Sequence, residues 1–128
     1  MISARMSCRN ALPILGLCLF TAQPGCAKEY TRPSKQEWQR FAAQKGNGPR
    51  IAALTAYLRE NGVSGIVPVE ELCRQGSDYR RLGQPPFAIP PKKYWPRIVP
   101  TLRFIQKELE PKLGKLEVLS GYRSTEYN

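Results

Sequence analysis

Apolar residues recur at helical spacing in the first half of the chain and predict two consecutive helices. Ser34 and Glu37 stand three residues apart, as in a capping box, and predict the start of a helix that ends near Lys45. A second helix is expected after Pro49 and up to the Asn61-Gly62 pair, since glycine permits the left-handed conformation that ends many helices. The inward-facing positions of the two helices are expected at Trp38, Phe41, Ile51, Leu54 and Leu58.

The strongest helical pattern lies in the second half of the chain. Because proline lacks a backbone N–H and its ring collides with the preceding turn, Pro100 predicts that the regular part of this helix runs only from Pro100 to Glu110. A shorter helical turn is expected over Val69–Gln75, after Pro68. The apolar stripe of the long helix consists of Tyr94 or Trp95 with Ile98, Leu102, Ile105 and Leu109, and Trp95 is expected in the core.

The segments between these helices read as irregular or extended structure. Gly76–Leu82 is polar and predicts a loop. Gly83–Pro91 holds four prolines, so it predicts an extended, polyproline-like wall with Phe87 and Ile89 facing inward.

The aliphatic run Leu116–Leu119 predicts a short strand, and with it an α+β fold in which short helices pack on an incomplete small sheet. A lone strand cannot satisfy its own backbone groups. We therefore expect a marginally stable domain in which Leu116, Val118 and Leu119 are poorly covered.

Residues 1–27 have the layout of a secretory signal: Arg5 and Arg9, then an apolar run of about 12 residues, then small residues. The run is shorter than the roughly 20 residues that a transmembrane helix needs. Two cleavage patterns remain open. A signal peptidase could cut before Lys28, or Cys26 could become the lipidated first residue of a lipoprotein. Either pattern predicts an exported chain, located in the periplasm or held at the outer membrane or cell surface, that meets the membrane only through its signal or a lipid anchor.

After the signal, residues 28–45 form an expected N-terminal helix and linker, and residues 46–128 form the main domain. Of the cysteines, only Cys73, and Cys26 if it is retained, would remain in the exported form. The partner of Cys73 could lie outside this chain, or the thiol could be a small buried apolar group.

The composition narrows the possible chemistry. The chain has 20 Lys and Arg against 10 Asp and Glu, a net charge of +10, and no histidine. Without histidine, these residues cannot form a His-dependent catalytic triad or a His-based zinc centre. No pattern of interleaved aromatic and basic residues points to RNA, so nucleic acid is not an expected partner. For an exported basic chain, the expected polyanions are the cell envelope and phospholipid headgroups.

The end of the chain carries a more specific motif. Leu116–Asn128 (Leu-Glu-Val-Leu-Ser-Gly-Tyr-Arg-Ser-Thr-Glu-Tyr-Asn) resembles the strand and turn that lead into the active site of zinc D-alanyl-D-alanine carboxypeptidases of peptidase family M15, which trim bacterial cell-wall peptides. The resemblance extends over roughly Val63–Asn128. Its supporting elements are Gly65–Pro68, the Leu72 helix, Pro86-Phe87, Pro90-Pro91, Trp95 and Thr101–Ile105.

The resemblance implies a partial domain of this family over residues 46–128. In the family, the Ser-Gly-Tyr-Arg turn precedes a histidine, an aspartate, a glutamate and a second histidine, which hold zinc and act as the general base. The match ends before the first of these, so the resemblance implies a chain that is truncated and inactive as written, from a shortened or split gene. No cofactor is expected in this chain, whereas zinc is expected in the complete family domain.

Arg123 is the one site residue that the resemblance transfers with a chemical role. In the family, the matching arginine points into the cleft and pairs with a carbonyl or carboxylate oxygen of the substrate, a task that suits a forked guanidinium. Ser120 and Tyr122 are expected to line the same wall. The alternatives are an exposed arginine at a strand end and, for the other two residues, capping and packing.

Two functional hypotheses follow, and neither requires catalysis by this chain. The first is an exported protein related to the M15 carboxypeptidases that binds a peptidoglycan peptide. The second is a basic envelope-binding lipoprotein or secreted module. A helical protein of another role is the remaining alternative.

Overall fold

The computed structural model describes residues 30–128 of the chain. Short helices follow one another and are joined by irregular segments. The helices are α1 (Lys35–Ala43), α2 (Asn47–Glu60), α3 (Val69–Leu72), α4 (Tyr79–Leu82), a 3₁₀ turn (Lys92–Tyr94), α5 (Trp95–Phe104), a π-helical turn (Ile105–Leu109) and α6 (Glu110–Leu113).

The predicted α+β fold is wrong. Within residues 30–128, 54% of the residues are helical and 3% are in strand pairing, and they form no sheet. Of the expected strand Leu116–Leu119, Val118 alone is at a β-bridge position, and side chains also bond this segment. The Glu71 carboxylate accepts the Val118 N–H at 2.8 Å, Arg74 donates to the Val118 carbonyl at 3.3 Å, and the Tyr30 hydroxyl donates to the Leu119 carbonyl. Side chains thus satisfy backbone groups that a neighbouring strand would otherwise satisfy.

The predicted start of α1 is confirmed. The Ser34 hydroxyl accepts the Glu37 N–H at 3.1 Å, and the Glu37 carboxylate accepts the Ser34 N–H at 2.7 Å. The bond from the Ser34 backbone is the main cause of the lowered pKa of Glu37. The rings of Trp38 and Phe41 then lie 5.0 and 5.5 Å from the ring of Phe87, so α1 covers the proline-rich wall.

Two predicted boundaries are wrong. The α-helix α5 begins at Trp95 and continues through Pro100 to Phe104. Proline costs the helix one backbone bond there, and the regular α-helix ends later, where the π-helical turn begins at Ile105. The predicted loop Gly76–Leu82 contains the helix α4, whose Tyr79 is buried and donates to the Glu37 carboxylate at 3.2 Å.

The core lies between α2, α5, the proline-rich wall and the segment Leu116–Leu119. Phe87, Ile89 and Trp95 are buried as predicted, and the Trp95 indole donates to the Pro90 carbonyl at 2.8 Å. The expectation that Leu116, Val118 and Leu119 are poorly covered is wrong, since all three are less than a tenth exposed. The buried cluster also contains Leu54, Leu58, Val63, Ile66, Val67, Leu72, Cys73, Val99, Leu102 and Ile105.

At Gly121 the C-terminal turn lies close to the backbone at the end of α3. A Cβ atom added there would lie 2.7 Å from the Leu72 Cα and closer still to the Leu72 carbonyl oxygen. Both obstacles are backbone atoms, so they cannot move aside as a side chain would. Glycine at position 121 therefore allows the C-terminal turn to pack against the end of α3.

We expect Gly121→Ala to lower the free energy of unfolding by about 3 kcal/mol, because the added methyl group collides with the Leu72 backbone. Gly48→Ala is the matched control: its Cβ would lie 3.9 Å from the nearest atom, the Ala42 carbonyl oxygen. Since Gly48 is in helix α2, alanine there should be neutral or stabilise by about 0.5–1 kcal/mol. Urea unfolding of both variants measures the difference, and equal stabilities would contradict the close approach.

Candidate substrate-binding site

The candidate site is built around the buried side chain of Gln75, which lies between the proline-rich wall and the C-terminal turn. On the wall side, the Gln75 N–H donates to the Pro86 carbonyl at 3.0 Å and its Nε2 donates to the Pro85 carbonyl at 3.0 Å. Prolines have no N–H of their own, so the donors for this wall must come from other segments. Arg74 and Phe87 form an antiparallel bridge beside these bonds.

On its other side, Gln75 holds the turn that contains the candidate residues. Its carbonyl accepts the Ser120 hydroxyl at 2.8 Å and the Arg123 Nε at 3.0 Å. Its side-chain Oε1 accepts the Ser124 N–H at 2.8 Å. One buried residue thus fixes three positions of the Ser-Gly-Tyr-Arg-Ser motif, and its polar groups are themselves satisfied.

The backbone of Arg74 adds two further bonds to the same turn. Its carbonyl accepts the N–H of Gly121 at 2.9 Å and that of Tyr122 at 3.3 Å. The turn is therefore attached to residues 74 and 75 along its length, from position 120 to position 124.

Arg123 is exposed and is held through one nitrogen. Its Nε bonds Gln75 and lies 3.3 Å from the Ser120 hydroxyl oxygen, and its guanidinium carbon lies 5.6 Å from the centre of the Tyr127 ring. The Tyr127 hydroxyl accepts the Asp78 N–H at 3.0 Å, and burial raises the pKa of Tyr127. Within residues 30–128, no hydrogen bond uses the two terminal nitrogens of Arg123. These nitrogens can therefore donate to an acceptor on a bound molecule.

The three residues predicted for the site have different surroundings. Ser120 is buried and supports Arg123 and the turn. Tyr122 is half-buried, and its ring centre lies 6.0 Å from that of Tyr94. The structure thus brings Ser120 and Arg123 together, and it places Tyr122 in a separate aromatic contact.

Sequence reasoning missed Gln75 and Gly76. Gly76 has a φ of +150°, and a Cβ there would lie 2.9 Å from the Tyr127 hydroxyl oxygen and 3.4 Å from a terminal nitrogen of Arg123. The sequence gives only an indirect indication of such a residue. Consecutive prolines have carbonyl groups but no N–H groups, so their carbonyls need donors from other segments. No local pattern identifies Gln75 as their source.

An ionic network of Arg32, Arg74 and Glu117 lies next to the site. The buried Arg74 donates to the Glu117 carboxylate at 2.7 Å, and Arg32 donates to both oxygens of the same carboxylate at 2.8 to 3.0 Å. The pKa of Glu117 is lowered, chiefly by the hydrogen bond from Arg32 and also by that from Arg74. The network connects the segment before α1 to the segment before the turn.

The side chains present do not fit a catalytic zinc ion, which takes three protein ligands and a water molecule. The chain has no histidine. The thiol of Cys73 is fully buried, and burial raises its pKa to about 12, so it is not a ready thiolate ligand. The described part of the chain contains no group of three potential ligands, and no disulfide to Cys73. No hydrolytic step is therefore derived from these residues.

The export signal over residues 1–27 and the lipidation candidate Cys26 lie outside the described residues. Among residues 30–128, no helix combines the length and the apolar character required to cross a bilayer.

Comparison with protein-family models, with curated proteins and with solved structures finds no match to this chain. The resemblance to peptidase family M15 therefore rests on the residues quoted above.

We expect Gln75→Leu to lower the free energy of unfolding by about 2 kcal/mol, because the change removes two side-chain hydrogen bonds and leaves the Ser124 N–H without its acceptor. Gln84→Leu is the matched control, since the Gln84 side chain makes no hydrogen bond within residues 30–128. Its effect should stay within about 0.5 kcal/mol. Chemical unfolding followed by tryptophan fluorescence measures both, and an equal loss in the two variants would argue against the central role of Gln75.

Proposed function

We propose that this chain is an exported, peptidoglycan-directed protein related to the M15 carboxypeptidases, in which Arg123 binds the terminal carboxylate of a cell-wall peptide ending in D-Ala-D-Ala. The proposal assigns recognition to these residues and assigns no hydrolysis to them, since their donor atoms do not fit zinc.

The main support is the way Arg123 is held. Its Nε is anchored on the Gln75 carbonyl and beside the Ser120 hydroxyl, whereas no hydrogen bond within residues 30–128 uses the terminal nitrogens. A guanidinium fixed at one end loses less conformational freedom when it binds a carboxylate with two parallel hydrogen bonds. Bonds of this charge-assisted kind are about twice as strong as neutral ones.

The charge of the chain gives independent support for an anionic target. The net charge is +10, and the two arginines of the predicted signal account for only a small part of it. A basic exported protein is attracted to anionic groups of the cell envelope over distances set by the ionic strength. On this proposal the protein acts in the periplasm or at the cell surface, and it contacts the membrane only through the signal or a lipid on Cys26.

We expect Arg123→Gln to weaken the binding of N-acetyl-lysyl-D-Ala-D-Ala by about tenfold, because the neutral side chain loses the charge-assisted bonds to the carboxylate. The same peptide with a C-terminal amide should bind the unmodified chain about as weakly. Isothermal titration calorimetry measures each affinity. Arg59→Gln, which removes one exposed positive charge from α2, should leave the affinity unchanged.

Equal binding of acid and amide peptides would exclude Arg123 as the carboxylate site. The alternative function, a basic module that binds the envelope without reading a peptide end, makes a different prediction. Its sedimentation with purified cell wall would be abolished by high salt, and Arg123→Gln and Arg59→Gln would reduce it equally.

The proposed export is checked by the intact mass of the chain recovered from the envelope of expressing bacteria. We expect either a form that begins at Lys28 or a form that begins at an acylated Cys26. The variant Cys26→Ser should abolish the acylated form if it is the one observed. A full-length, unmodified chain in the cytoplasm would contradict the export proposal.

A further inference from the structure

A second candidate site is a cavity lined in part by Tyr122. A cavity of about 310 Å³, open to solvent on one side, lies between α5, the end of α3 and the C-terminal turn. Its apolar walls include Leu72, Ile98 and Leu102, and Tyr94, Tyr122 and Arg97 also line it. The volume is at the lower end of the range for small-molecule sites, about 300–1,000 Å³, so the occupant must be small.

The aromatic side chains of the cavity carry unused polar groups. The rings of Tyr94 and Tyr122 lie 6.0 Å apart and are inclined by 38°. Neither phenol hydroxyl takes part in a hydrogen bond within residues 30–128. A pair of rings with free hydroxyls offers an apolar surface together with donors, which is the combination that orients a small ligand with one polar end.

Two cations are gathered at the same tyrosine. The Lys93 ammonium lies 4.9 Å and the Arg97 guanidinium carbon 6.0 Å from the centre of the Tyr94 ring. Neither cation forms a salt bridge to a carboxylate within the described residues, whereas Arg32, Arg74, Arg80 and Arg81 all do. A ring contact leaves the hydrogen-bond donors of a guanidinium available. Within the described residues, the positive charge beside this cavity has no carboxylate partner.

We propose that this cavity binds a small organic carboxylate with an apolar body, whose carboxylate pairs with Arg97 and whose body packs between Tyr94, Tyr122 and the leucine-lined wall. The apolar walls select the body of the ligand, and the unpaired guanidinium selects its charge. The inference rests on this cavity alone and stands independently of the function proposed for Arg123.

The test uses the full chain and phenylpropionate as the probe. Phenylpropionamide keeps the body and removes the charge, and acetate keeps the charge and removes the body. We expect phenylpropionate to bind at least about tenfold more tightly than either analogue, measured by ligand-observed and protein-observed NMR titration. Equal affinity for the acid and the amide would overturn the proposal, as would the absence of any binding of phenylpropionate.

Variants locate the binding. Arg97→Gln should weaken phenylpropionate binding about tenfold, whereas Arg103→Gln, the same change on the same helix but at a residue bonded to the Asn61 carbonyl, should not. Thr101→Phe places a ring in the cavity and should abolish binding. Because Thr101→Phe could also disturb α5, the Arg97 and Arg103 pair decides the outcome if that variant is unfolded. Equal weakening by Arg97→Gln and Arg103→Gln would refute the site.

Arg123→Gln separates the two proposals. It should leave phenylpropionate binding unchanged while it weakens binding of the D-Ala-D-Ala peptide. Loss of phenylpropionate binding in Arg123→Gln would overturn the assignment of the carboxylate to Arg97.

Discussion

The hydrogen bonds of one buried residue, Gln75, made by both its backbone and its side chain, connect the proline-rich wall to the C-terminal turn. The wall Gly83–Pro91 is rich in proline and has few N–H donors, so it cannot pair with a neighbour along a regular ladder. Gln75 donates to two of its carbonyls and at the same time accepts from three groups of the C-terminal turn. A buried donor or acceptor without a partner costs about 1–3 kcal/mol. Moving either the wall or the turn would break several of these bonds at once, so the bonds hold both segments in place. Packing of the wall and order of the turn are therefore two consequences of the same residue.

The position of Arg123 follows from this arrangement. Its Nε bonds the carbonyl of Gln75, and Ser120 bonds the same oxygen, so the guanidinium is oriented by backbone and not by a carboxylate. Gly121 lets the turn approach the α3 backbone, and Gly76 leaves room beside Tyr127 and the guanidinium. A larger side chain at either position would collide with these neighbours and displace the turn or the guanidinium.

The parts of the fold that were predictable from sequence are those set by neighbours along the chain. The capping box of Ser34 and Glu37 and the inward positions of Phe87, Ile89 and Trp95 depend on local spacing, and they are confirmed. The strand over Leu116–Leu119 was wrong: only Val118 is at a bridge position, and its backbone is also bonded by the side chains of Arg74 and Glu71, 44 and 47 residues earlier. Gln75 was missed for the same reason: its contacts with the turn span 45 to 49 positions, and no periodicity encodes them. The resemblance to family M15 predicts site roles for Arg123 and Ser120, but it does not predict the hydrogen bonds that hold them.

Some arginines of this protein are paired with carboxylates, and others contact a backbone carbonyl or an aromatic ring. Arg74 is buried and must be paired, because an unpaired charge inside a protein is strongly destabilising; Glu117 supplies that pairing at 2.7 Å, and the Glu70 carboxylate lies 3.8 Å away. Arg123 and Arg97 are exposed and are held by a backbone carbonyl and by an aromatic ring, respectively. Such contacts orient a guanidinium without neutralising it. For the binding proposed at Arg123 and Arg97, each torsion fixed in advance lowers the entropy cost of binding a carboxylate. Arg103 is also exposed and bonded to a backbone carbonyl, that of Asn61, so Arg97 is distinguished by its place in the wall of the cavity and Arg123 by its place in the C-terminal turn.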